Sequence, residues 1–424
     1  MKKTFTVAIL GCGNRGTVYA QNMVAQEPRK FTVVSVCDRN PQQLVKISQM
    51  MPLEEKNLFT VEEIFFQEKR ADILIISTWD KDHVHQCIRA MELGYDILLE
   101  KPISDSAEEI DLLLKAQKKT GRKIVVCHVL RYSAGVNLLD KVLKTGVLGK
   151  LITIDQTERV RFWHYLQAYF KLHSLWEGKT FATILAKCCH DLDLIQHFAK
   201  AKCHSVSSVG GVAFFKRENA PEGATEYCLD CPHMESCPYS AKRVYVDNWK
   251  AADCPEFKWP WNKVSLKNPN TEEDLYSGIR NSVFGKCAFM LDADKDEHVV
   301  DHQLVQMAFK NGVVANLKMV FSANVGRRIA LYGTLGEVVM DMYTDSVEVM
   351  PYGGEKQVLK ISDHAFIADQ HGGGDRGIVE ELYGIMTGEI TEYTSLEESV
   401  ESHLIGIAAE KSRLSGGKLV IVHE

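Results

Sequence analysis

The chain has 424 residues, of which 45% are hydrophobic and 25% charged, and its formal net charge is -6 at pH 7. This ordinary globular composition excludes a disordered or collagen-like chain, and the length predicts two domains. The 50 basic and 56 acidic residues form no basic stripe, so we expect no nucleic-acid partner. No apolar run approaches the roughly 20 residues that cross a bilayer, and no signal peptide is predicted, so no membrane partner is expected. Twelve cysteines, several within apolar runs, favour a reducing compartment and a cytoplasmic location.

The first predicted strand, residues 4–10, runs into a glycine-rich turn and then a helix. In this setting Gly11 allows a tight turn, Gly13 lets the backbone approach a pyrophosphate, and Gly16 lets helix and strand pack closely. An ordinary structural turn is the alternative, because the pattern alone is weakly specific. The cofactor-binding residues predicted in this turn are Gly11, Gly13, Asn14, Arg15 and Gly16.

The second predicted strand, Phe31 to Cys37, ends in Asp38. A carboxylate at this place accepts hydrogen bonds from a ribose and repels a 2'-phosphate, which favours NAD over NADP. The adjacent Arg39 can stack on adenine or meet a phosphate, so use of NADP stays open.

Strands and helices continue to alternate through the first third of the chain. Buried strands are predicted at Ile73 to Thr78, Ile97 to Leu99 and Lys123 to Val129, and the helix between the last two opens with a capping box at Ser106 and Glu109. Repeated strand–helix units predict a doubly wound parallel sheet, a Rossmann domain over residues 1–130 that binds NAD.

The segment Glu100-Lys101-Pro102 follows the strand Ile97 to Leu99, at the sheet edge where ligands of such folds bind. With the glycine turn, Asp38, the segment Thr78 to His83 and the later His190-Asp191-Leu192-Asp193, the sequence resembles the Gfo/Idh/MocA oxidoreductases, which include inositol dehydrogenases. The resemblance covers most of the chain and is strongest before residue 200.

The resemblance implies the roles of several residues at this edge. Lys101 would lie beside the nicotinamide and take the proton of the reacting hydroxyl, with Glu100 helping to place it. We expect partial burial to lower the pKa of Lys101. A solvent-facing lysine is the alternative without the resemblance. Thr78 and His83 are expected to line the cofactor.

A helix predicted over Thr183 to Lys200 brings His190 and Asp193 to one face, three residues apart. His190 is a second catalytic candidate, and a hydrogen-bonded core histidine is its alternative. The family usually has an aspartate four residues before this histidine, where this chain has Ala186. Lys187 is therefore predicted to orient the substrate or to lower the pKa of His190 by repulsion, and Asp193 to bind substrate.

Beyond residue 200 the apolar period changes to two, with a hairpin turn at Asn311-Gly312 and further strands at 328–332, 337–342 and 346–351. This predicts a second α/β domain with a large, mainly antiparallel open sheet. The resemblance implies that residues 131–424 bind substrate and form a homo-oligomer, a dimer or tetramer. The loop His371 to Asp375 either contacts sugar hydroxyls or is a connector.

A cysteine-rich insertion is predicted at about residues 216–275. It contains Cys228, Cys231 and Cys237, whose C-x2-C-x5-C spacing can hold one side of a structural zinc ion. The fourth ligand stays open among Cys254, Cys287 and His233. Reduced free cysteines, a disulfide and an iron–sulfur cluster are the alternatives.

These observations predict an NAD(P)-dependent oxidoreductase that oxidises or reduces a secondary hydroxyl of a sugar, sugar derivative or cyclic polyol. One alternative is a redox-neutral enzyme that keeps NAD bound and cleaves a glycosidic bond, with Lys187, His164 or His371 as an additional base. A non-enzymatic sensor is a further alternative, because a fold does not dictate activity.

Overall fold

The computed structural model describes residues 4–171, 181–253, 260–265, 267, 270–280, 282–292, 297–364 and 371–424. The described strands are β1 (Phe5–Leu10), β2 (Phe31–Cys37), β3 (Leu58–Phe59), β4 (Ile73–Ile76), β5 (Asp96–Leu99), β6 (Ile124–Val126), β7 (Leu151–Arg161), β8 (Cys203–Gly211), β9 (His302–Phe309), β10 (Val314–Ser322), β11 (Gly326–Gly333), β12 (Gly336–Asp341), β13 (Ser346–Pro351), β14 (Gln357–Lys360) and β15 (Val420–Ile421). The described α-helices are α1 (Asn14–Val24), α2 (Pro41–Met50), α3 (Glu62–Phe65), α4 (His83–Glu92), α5 (Ala107–Thr120), α6 (Ala134–Lys144), α7 (Phe162–Tyr165), α8 (Thr183–Ala186), α9 (Cys189–Ala199), α10 (Asn248–Ala251), α11 (Glu272–Arg280), α12 (Gly374–Thr387) and α13 (Leu396–Leu414).

The first sheet has six parallel strands in the order β3-β2-β1-β4-β5-β6, which confirms the predicted Rossmann architecture. Its central strands are continuous apolar runs because both faces are covered; all four residues of β4 are buried. The capping box is confirmed as well, since the Ser106 side chain accepts a hydrogen bond from the Glu109 N–H at 3.2 Å.

The strand order reverses between β1 and β4, and this point is where such sheets bind their ligands. The loops that follow the two strands are tied together there. The Gly11 N–H donates to the Cys37 carbonyl oxygen at 2.8 Å, and the Ser77 hydroxyl donates to the Gly11 carbonyl oxygen at 2.7 Å. The glycine turn is therefore held at the carboxyl edge of the sheet.

The second sheet has nine strands in the order β14-β13-β12-β11-β7-β10-β9-β8-β15. All of its pairs are antiparallel except β7 with β10, which confirms the mainly antiparallel sheet. The predicted hairpin is present, because β9 and β10 pair across a turn in which Gly312 has a φ of +87°. One face of this sheet packs against α9 and α13, and the other is exposed to solvent.

The chain returns to the first sheet near its C-terminus. Ile378 and Leu382 of α12 pack in one core cluster with Phe5, and Leu396 of α13 packs with Leu74 in another. The core of the Rossmann unit thus includes residues beyond the predicted boundary at 130, because α12 and α13 cover apolar surface that its own helices leave open. No helix in the described ranges is long and apolar enough to cross a membrane.

One helix differs from the sequence-based expectation. The helix predicted from Thr183 to Lys200 is interrupted after α8 at Lys187 and resumes as α9. The segment between the end of β8 and the start of β9, called the insertion below, contains the predicted range of about 216–275. Its described residues form short helices and helical turns around a small core, which contains Tyr245, Trp249 and Leu275.

Candidate active site

The turn between β1 and α1 has the shape of a dinucleotide-binding loop. Gly11 has a φ of +90°, and a Cβ there would stand 2.5 Å from the Ser77 carbonyl oxygen, so only glycine fits. A Cβ on Gly16 would lie 2.1 Å from the Gly11 carbonyl oxygen. A Cβ on Gly13, by contrast, would meet no atom of the described residues within 4 Å. Gly13 therefore borders open space at the start of α1, where backbone N–H groups can receive a pyrophosphate.

A cavity of about 510 Å³ opens beside this turn. Within the described chain no side chain caps the first turn of α1, and this turn contains no acidic residue, so its N–H groups remain suited to an anion. The predicted cofactor residues that line the cavity are Gly11, Gly13, Asn14, Arg15, Asp38, Arg39 and Thr78. Asn262 and Lys263 of the insertion also line it, which the sequence did not predict. The volume and the donors suit a dinucleotide.

Asp38 is held at this cavity by two backbone hydrogen bonds. It accepts from the Cys12 N–H at 2.7 Å and from the Asn40 N–H at 2.8 Å. Each carboxylate oxygen retains a further lone pair for a ribose hydroxyl. Arg39 lines the same cavity, but its guanidinium is paired with Asp82 at 2.8 Å. The charged residues Lys46, Glu62 and Lys263 line the cavity as well.

Thr78 and His83 occupy different places. Thr78 lines the cavity, and its hydroxyl donates to Gln86 Oε1 at 2.5 Å. His83 is only 1% exposed, and its Nδ1 donates to the Pro102 carbonyl oxygen at 2.7 Å. The structure thus supports a cofactor contact for Thr78 and places His83 behind the segment that carries Lys101, as a support for its backbone.

Glu100 links the glycine turn to the catalytic candidate Lys101. Its Oε1 accepts from Arg15 Nε and from the Tyr19 hydroxyl, each at 2.6 Å. Its Oε2 accepts from the Lys101 N–H at 3.0 Å. Arg15 also pairs with Asp375 at 2.6 Å. Arg15 and Glu100 are therefore committed to a buried network that fixes the backbone of Lys101 relative to the cofactor loop.

The side chain of Lys101 reaches from the first sheet to the second domain. Its Nζ donates to the Ala186 carbonyl oxygen at 3.1 Å, at the position where the resembled family usually has an aspartate. The hydrogen-bond partner of the ammonium is therefore a neutral backbone carbonyl. This contact holds Lys101 beside the start of α9.

The expectation of a lowered pKa for Lys101 is wrong. Burial favours the neutral amine, but Coulomb interactions with Cys189, Tyr169, Glu100 and Asp80 outweigh it and raise the pKa above its ordinary value. Lys101 is therefore an ammonium at neutral pH, ready to donate a proton. A cationic ligand group beside it would reverse this balance by like-charge repulsion.

His190 is buried at the same place, with 4% of its surface exposed. Its ring centroid lies 5.8 Å from that of His371 and 6.0 Å from that of His128. Among the described residues its Nδ1 has no hydrogen-bond partner. Burial first, and then the charge of Lys101, lower its pKa well below the ordinary value. His190 is therefore a neutral imidazole, with a ring nitrogen left for a ligand.

Lys187 lies in a separate ionic network. Its Nζ is 3.1 Å from Glu158 Oε1, and Arg327 bridges Glu158 and Asp191 at 2.9 Å each. Burial opposes the charge of Lys187, but Glu158 raises its pKa above the ordinary value, so it retains its proton. The groups that lower the pKa of His190 include Lys101 and Arg327 rather than Lys187. A positioning role for Lys187 is compatible with this geometry, whereas the predicted repulsion of His190 is not supported.

Asp193 and His190 have His128 as a common neighbour, but Asp193 is paired with an arginine. It is 1% exposed, and Arg131 donates to both of its oxygens, from Nε at 2.8 Å and from Nη2 at 2.7 Å. These bonds fasten α9 to the segment after β6, and the substrate contact of Asp193 stays a prediction.

His371 joins the site from the loop before α12. Its Nδ1 donates to Asp375 Oδ2 at 2.9 Å, and this carboxylate also binds Arg15 of the glycine turn. The loop is therefore more than a connector.

Tyr169 is a residue that the sequence reasoning missed; its ring stacks on His164 at 5.8 Å and lies 5.9 Å from Lys187 Nζ. Its only sequence signal is the aromatic density from 162 to 170.

The cysteines of the insertion form no ready-made metal cluster: nowhere in the described ranges are three or more His, Cys, Asp or Glu side chains set as a metal site. Cys228, Cys231 and Cys237 are free thiols that line one small cavity together with Cys287. Cys254 lies outside the described residues. The predicted zinc site therefore stays a prediction.

Both parts of the chain match sequence models of one protein family. Residues 5–128 match the sequence model described as "Oxidoreductase family, NAD-binding Rossmann fold" of the GFO_IDH_MocA family, and residues 140–421 match its "C-terminal alpha/beta domain". Together the two matches span nearly the whole sequence.

Similar individual proteins are distant in sequence. "Putative oxidoreductase YteT" of Bacillus subtilis (strain 168) is 20% identical over 401 residues, which cover 89% of this chain and 88% of that protein. The 2,7-anhydro-N-acetylneuraminate hydratase of Mediterraneibacter gnavus is 24% identical over 309 residues, covering 71% and 73%. The structure of scyllo-inositol dehydrogenase from Lactobacillus casei, with NAD(H) and scyllo-inositol, aligns with a TM-score of 0.67 at 14% identity over 99% of each chain.

Proposed function

The chain belongs to the Gfo/Idh/MocA family of NAD-binding oxidoreductases, and on this premise we propose that it oxidises or reduces a secondary hydroxyl of a sugar, sugar derivative or cyclic polyol. The observation that carries the proposal is the continuous link from the glycine turn through Arg15 and Glu100 to Lys101 and on to Ala186. The link connects the loop at the dinucleotide cavity with the second domain through Lys101, which supports this lysine as the proton-transferring group that hydroxyl oxidation requires.

Each part of the site has a defined task in this reaction. The open space beside Gly13 and the uncapped start of α1 suit the pyrophosphate, and Asp38 suits the ribose and favours NAD over NADP. When bound, NAD supplies the hydride acceptor for oxidation and the hydride donor for reduction. Lys101 donates a proton to a carbonyl oxygen during reduction and takes the hydroxyl proton during oxidation. His190 holds the same oxygen as a neutral hydrogen-bonding partner.

The substrate class follows from the side chains gathered around Lys101. His190 lies beside His371, and Tyr169 acts on Lys101 electrostatically, so imidazole and phenol groups surround the lysine. A ligand with several hydroxyl groups can satisfy such a set, whereas an apolar ligand would leave these buried groups unpaired. The scyllo-inositol dehydrogenase among the similar structures is named for a substrate of this chemistry.

The test is a screen of the purified chain with NAD and with NADP against sugars, sugar acids and cyclic polyols, with NADH formation as the readout. For any substrate found, Lys101→Met should lower kcat/KM by about 10²-fold to 10⁴-fold, the usual contribution of a positioned acid–base group, while NAD affinity stays within about threefold. The exposed Lys115→Met is the matched control. Unchanged turnover in Lys101→Met would remove Lys101 from the chemistry.

We also propose a redox-neutral reaction as a second candidate, on the observation that the site contains a further acid–base pair. His371, hydrogen-bonded to Asp375, lies beside His190. Of the bases considered from the sequence, Lys187 is paired with Glu158, and burial lowers the pKa of His164 to about 3, which makes it a weak base. His371 is the third of these bases. A base is needed to remove the C–H proton that a neighbouring carbonyl acidifies, before the leaving group departs. The hydratase among the relatives makes this reaction class relevant.

Native mass spectrometry of protein purified without added cofactor distinguishes the two candidates. The redox-neutral reaction is supported if each subunit retains one NAD, the sugar is cleaved or rearranged, and no net NADH is formed. Exchangeable NAD with stoichiometric NADH formation supports the dehydrogenase. In the redox-neutral case His371→Gln should abolish the elimination while Lys101-dependent oxidation persists.

We further propose that the chain forms a homo-oligomer through the exposed face of the nine-stranded sheet. This face carries exposed apolar side chains on neighbouring strands, including Ile152, Val209, Leu304 and Val314. Apolar residues on a sheet face are typical of surfaces that are covered in an assembly. Light scattering coupled to gel filtration tests it, and Leu304→Lys should shift the mass toward the monomer.

A further inference from the structure

Four cysteines from two distant parts of the insertion line one small cavity. Cys228, Cys231 and Cys237 come from its first half, and Cys287 comes from its second half, 50 residues later along the chain. The cavity measures about 20 Å³, which is room for a single water molecule or ion. Three of these cysteines have the spacing noted in the sequence. Of the candidates for the fourth ligand, Cys287 and His233 both line the cavity, but His233 Nε2 donates to the Glu222 carbonyl oxygen at 2.7 Å.

The backbone explains how Cys287 reaches the other three. An antiparallel bridge joins Tyr227 to Lys286, so Cys228 and Cys287 lie on opposite sides of the bridged pair as diagonal neighbours on one face. The Cys228 thiol donates to the Lys286 carbonyl oxygen at 3.7 Å, and the Cys287 N–H donates to the Glu226 carbonyl oxygen at 2.8 Å. This pairing is long-range, so the spacing of the first three cysteines alone does not show it.

Tight turns follow the ligating positions, as they do where thiolates hold zinc. The Cys231 N–H donates to the Cys228 carbonyl oxygen at 3.3 Å, which closes the C-x2-C segment. The Ser240 N–H donates to the Cys237 carbonyl oxygen at 3.2 Å, so a tight turn follows Cys237 as well.

A buried lysine lies close to the second half of the insertion. Lys171 is 0% exposed, and its Nζ donates to the Phe284 carbonyl oxygen at 2.7 Å, three residues before Cys287. A zinc ion with four thiolates carries a net charge of about -2, which an ammonium at this place would partly compensate.

We propose that Cys228, Cys231, Cys237 and Cys287 bind one structural zinc ion per subunit. The four sulfurs surround the cavity, and binding turns them inward to Zn–S distances of about 2.3 Å. Each thiol loses its proton to solvent as the Zn–S bonds form, and no oxidation is involved. Cys231 and Cys237 are partly exposed, which gives the ion a path of entry. Four cysteine ligands leave no open coordination position, so the ion is structural.

The zinc ion fastens the two halves of the insertion together beside the wall of the candidate active site. Lys171 follows the helical turn Leu166–Phe170, which contains Tyr169. The Tyr245 hydroxyl of the insertion donates to Gln167 Oε1 of that turn at 3.1 Å. Loss of zinc therefore loosens the packing behind Tyr169, without removing a group from the chemistry.

The test begins with metal analysis of the full wild-type chain purified without added metal or chelator. About one zinc ion per subunit is expected, released when a mercurial reagent titrates the thiols. Cobalt(II) exchanged into the site should show the intense visible absorption of tetrahedral thiolate coordination. Cys237→Ser and Cys287→Ser should each lower zinc content at least about tenfold after dialysis. Cys203→Ser, a buried cysteine in β8, is the matched control and should retain zinc.

The wild-type measurements decide the proposal even where a variant folds poorly. The proposal is overturned if the purified wild-type protein contains no zinc, or if it contains stoichiometric iron and sulfide. It is also overturned if the cobalt-loaded protein lacks thiolate absorption, or if Cys287→Ser keeps its full zinc content. Zinc removal should also speed proteolysis between residues 212 and 301 about tenfold. None of these readouts depends on a substrate, so they stand apart from the proposed oxidoreductase activity.

Discussion

The Nζ of Lys101 donates a hydrogen bond to the carbonyl oxygen of Ala186, with 3.1 Å between the two atoms. A carboxylate at position 186 would add a negative charge beside the ammonium. We therefore expect Ala186→Asp to raise the pKa of Lys101 by about one unit, since an opposite charge within about 4 to 6 Å stabilises the charged form. Deprotonated Lys101 is needed for oxidation, so the pH of half-maximal oxidation should rise equally.

The pH profile of kcat/KM with a substrate identified in the screen measures this shift. Ala186→Asn is the matched control, because it has the same shape without the charge, and it should leave the profile within a few tenths of a unit. If Ala186→Asp and Ala186→Asn gave the same pH profile, the group whose titration controls kcat/KM would not be Lys101.

The glycine turn separates cofactor binding from folding at two nearby positions. A side chain on Gly13 enters open space, so Gly13→Val should leave the thermal stability of the cofactor-free protein nearly unchanged and weaken NAD binding by at least about tenfold. Gly11 has a φ of +90° and no room for a Cβ, so Gly11→Ala should destabilise the fold by about 1 to 3 kcal/mol. Calorimetric titration with NAD and thermal melting test both. Normal NAD affinity in Gly13→Val would show that the cavity is not the pyrophosphate site.

Asp38 is expected to set the cofactor preference. Asp38→Asn keeps one acceptor oxygen but removes the negative charge, so NAD affinity should fall by about tenfold while NADP affinity rises or stays the same. The ratio of the two dissociation constants is the measurement, with the exposed Asp111→Asn as the control. If the ratio of the two dissociation constants did not change, other groups at the cavity, such as Asp82, would be responsible for the preference between NAD and NADP.

The protein should lose stability as the pH falls below about 6.5. Burial lowers the pKa of His128 to about 4 and that of His403 to about 3. The ordinary pKa of histidine in the unfolded chain is about 6.5, so below it the unfolded state binds more protons than the folded state. Each such histidine should therefore lower the free energy of unfolding by about 1 kcal/mol between about pH 7.5 and 5.5.

Urea unfolding at the two pH values measures this loss. His128→Phe should reduce the pH-dependent loss by about 1 kcal/mol, because one buried imidazole no longer has to be protonated on unfolding. The side chain of His85 is 60% exposed, and His85→Gln should leave the loss unchanged. Equal losses in wild type and His128→Phe would mean that His128 already exchanges protons freely in the folded state.

The sequence by itself determined the architecture of this protein. Local patterns were sufficient: continuous apolar runs for the parallel strands, alternation for β9 and β10, and a glycine turn after β1 followed by Asp38 at the end of the next strand. Such patterns are read over a few residues, because strand period, turn conformation and helix capping depend on near neighbours.

Only the tertiary structure decided the charges and partners within the site. Lys101 was expected to have a lowered pKa, but Coulomb interactions with Cys189, Tyr169, Asp80 and the adjacent Glu100 raise it. Arg131 donates to both oxygens of Asp193, and the bridge between Tyr227 and Lys286 brings Cys287 near Cys228. These outcomes depend on contacts between residues far apart in sequence. A pKa is the sum of burial and of every nearby charge, so no local pattern contains it.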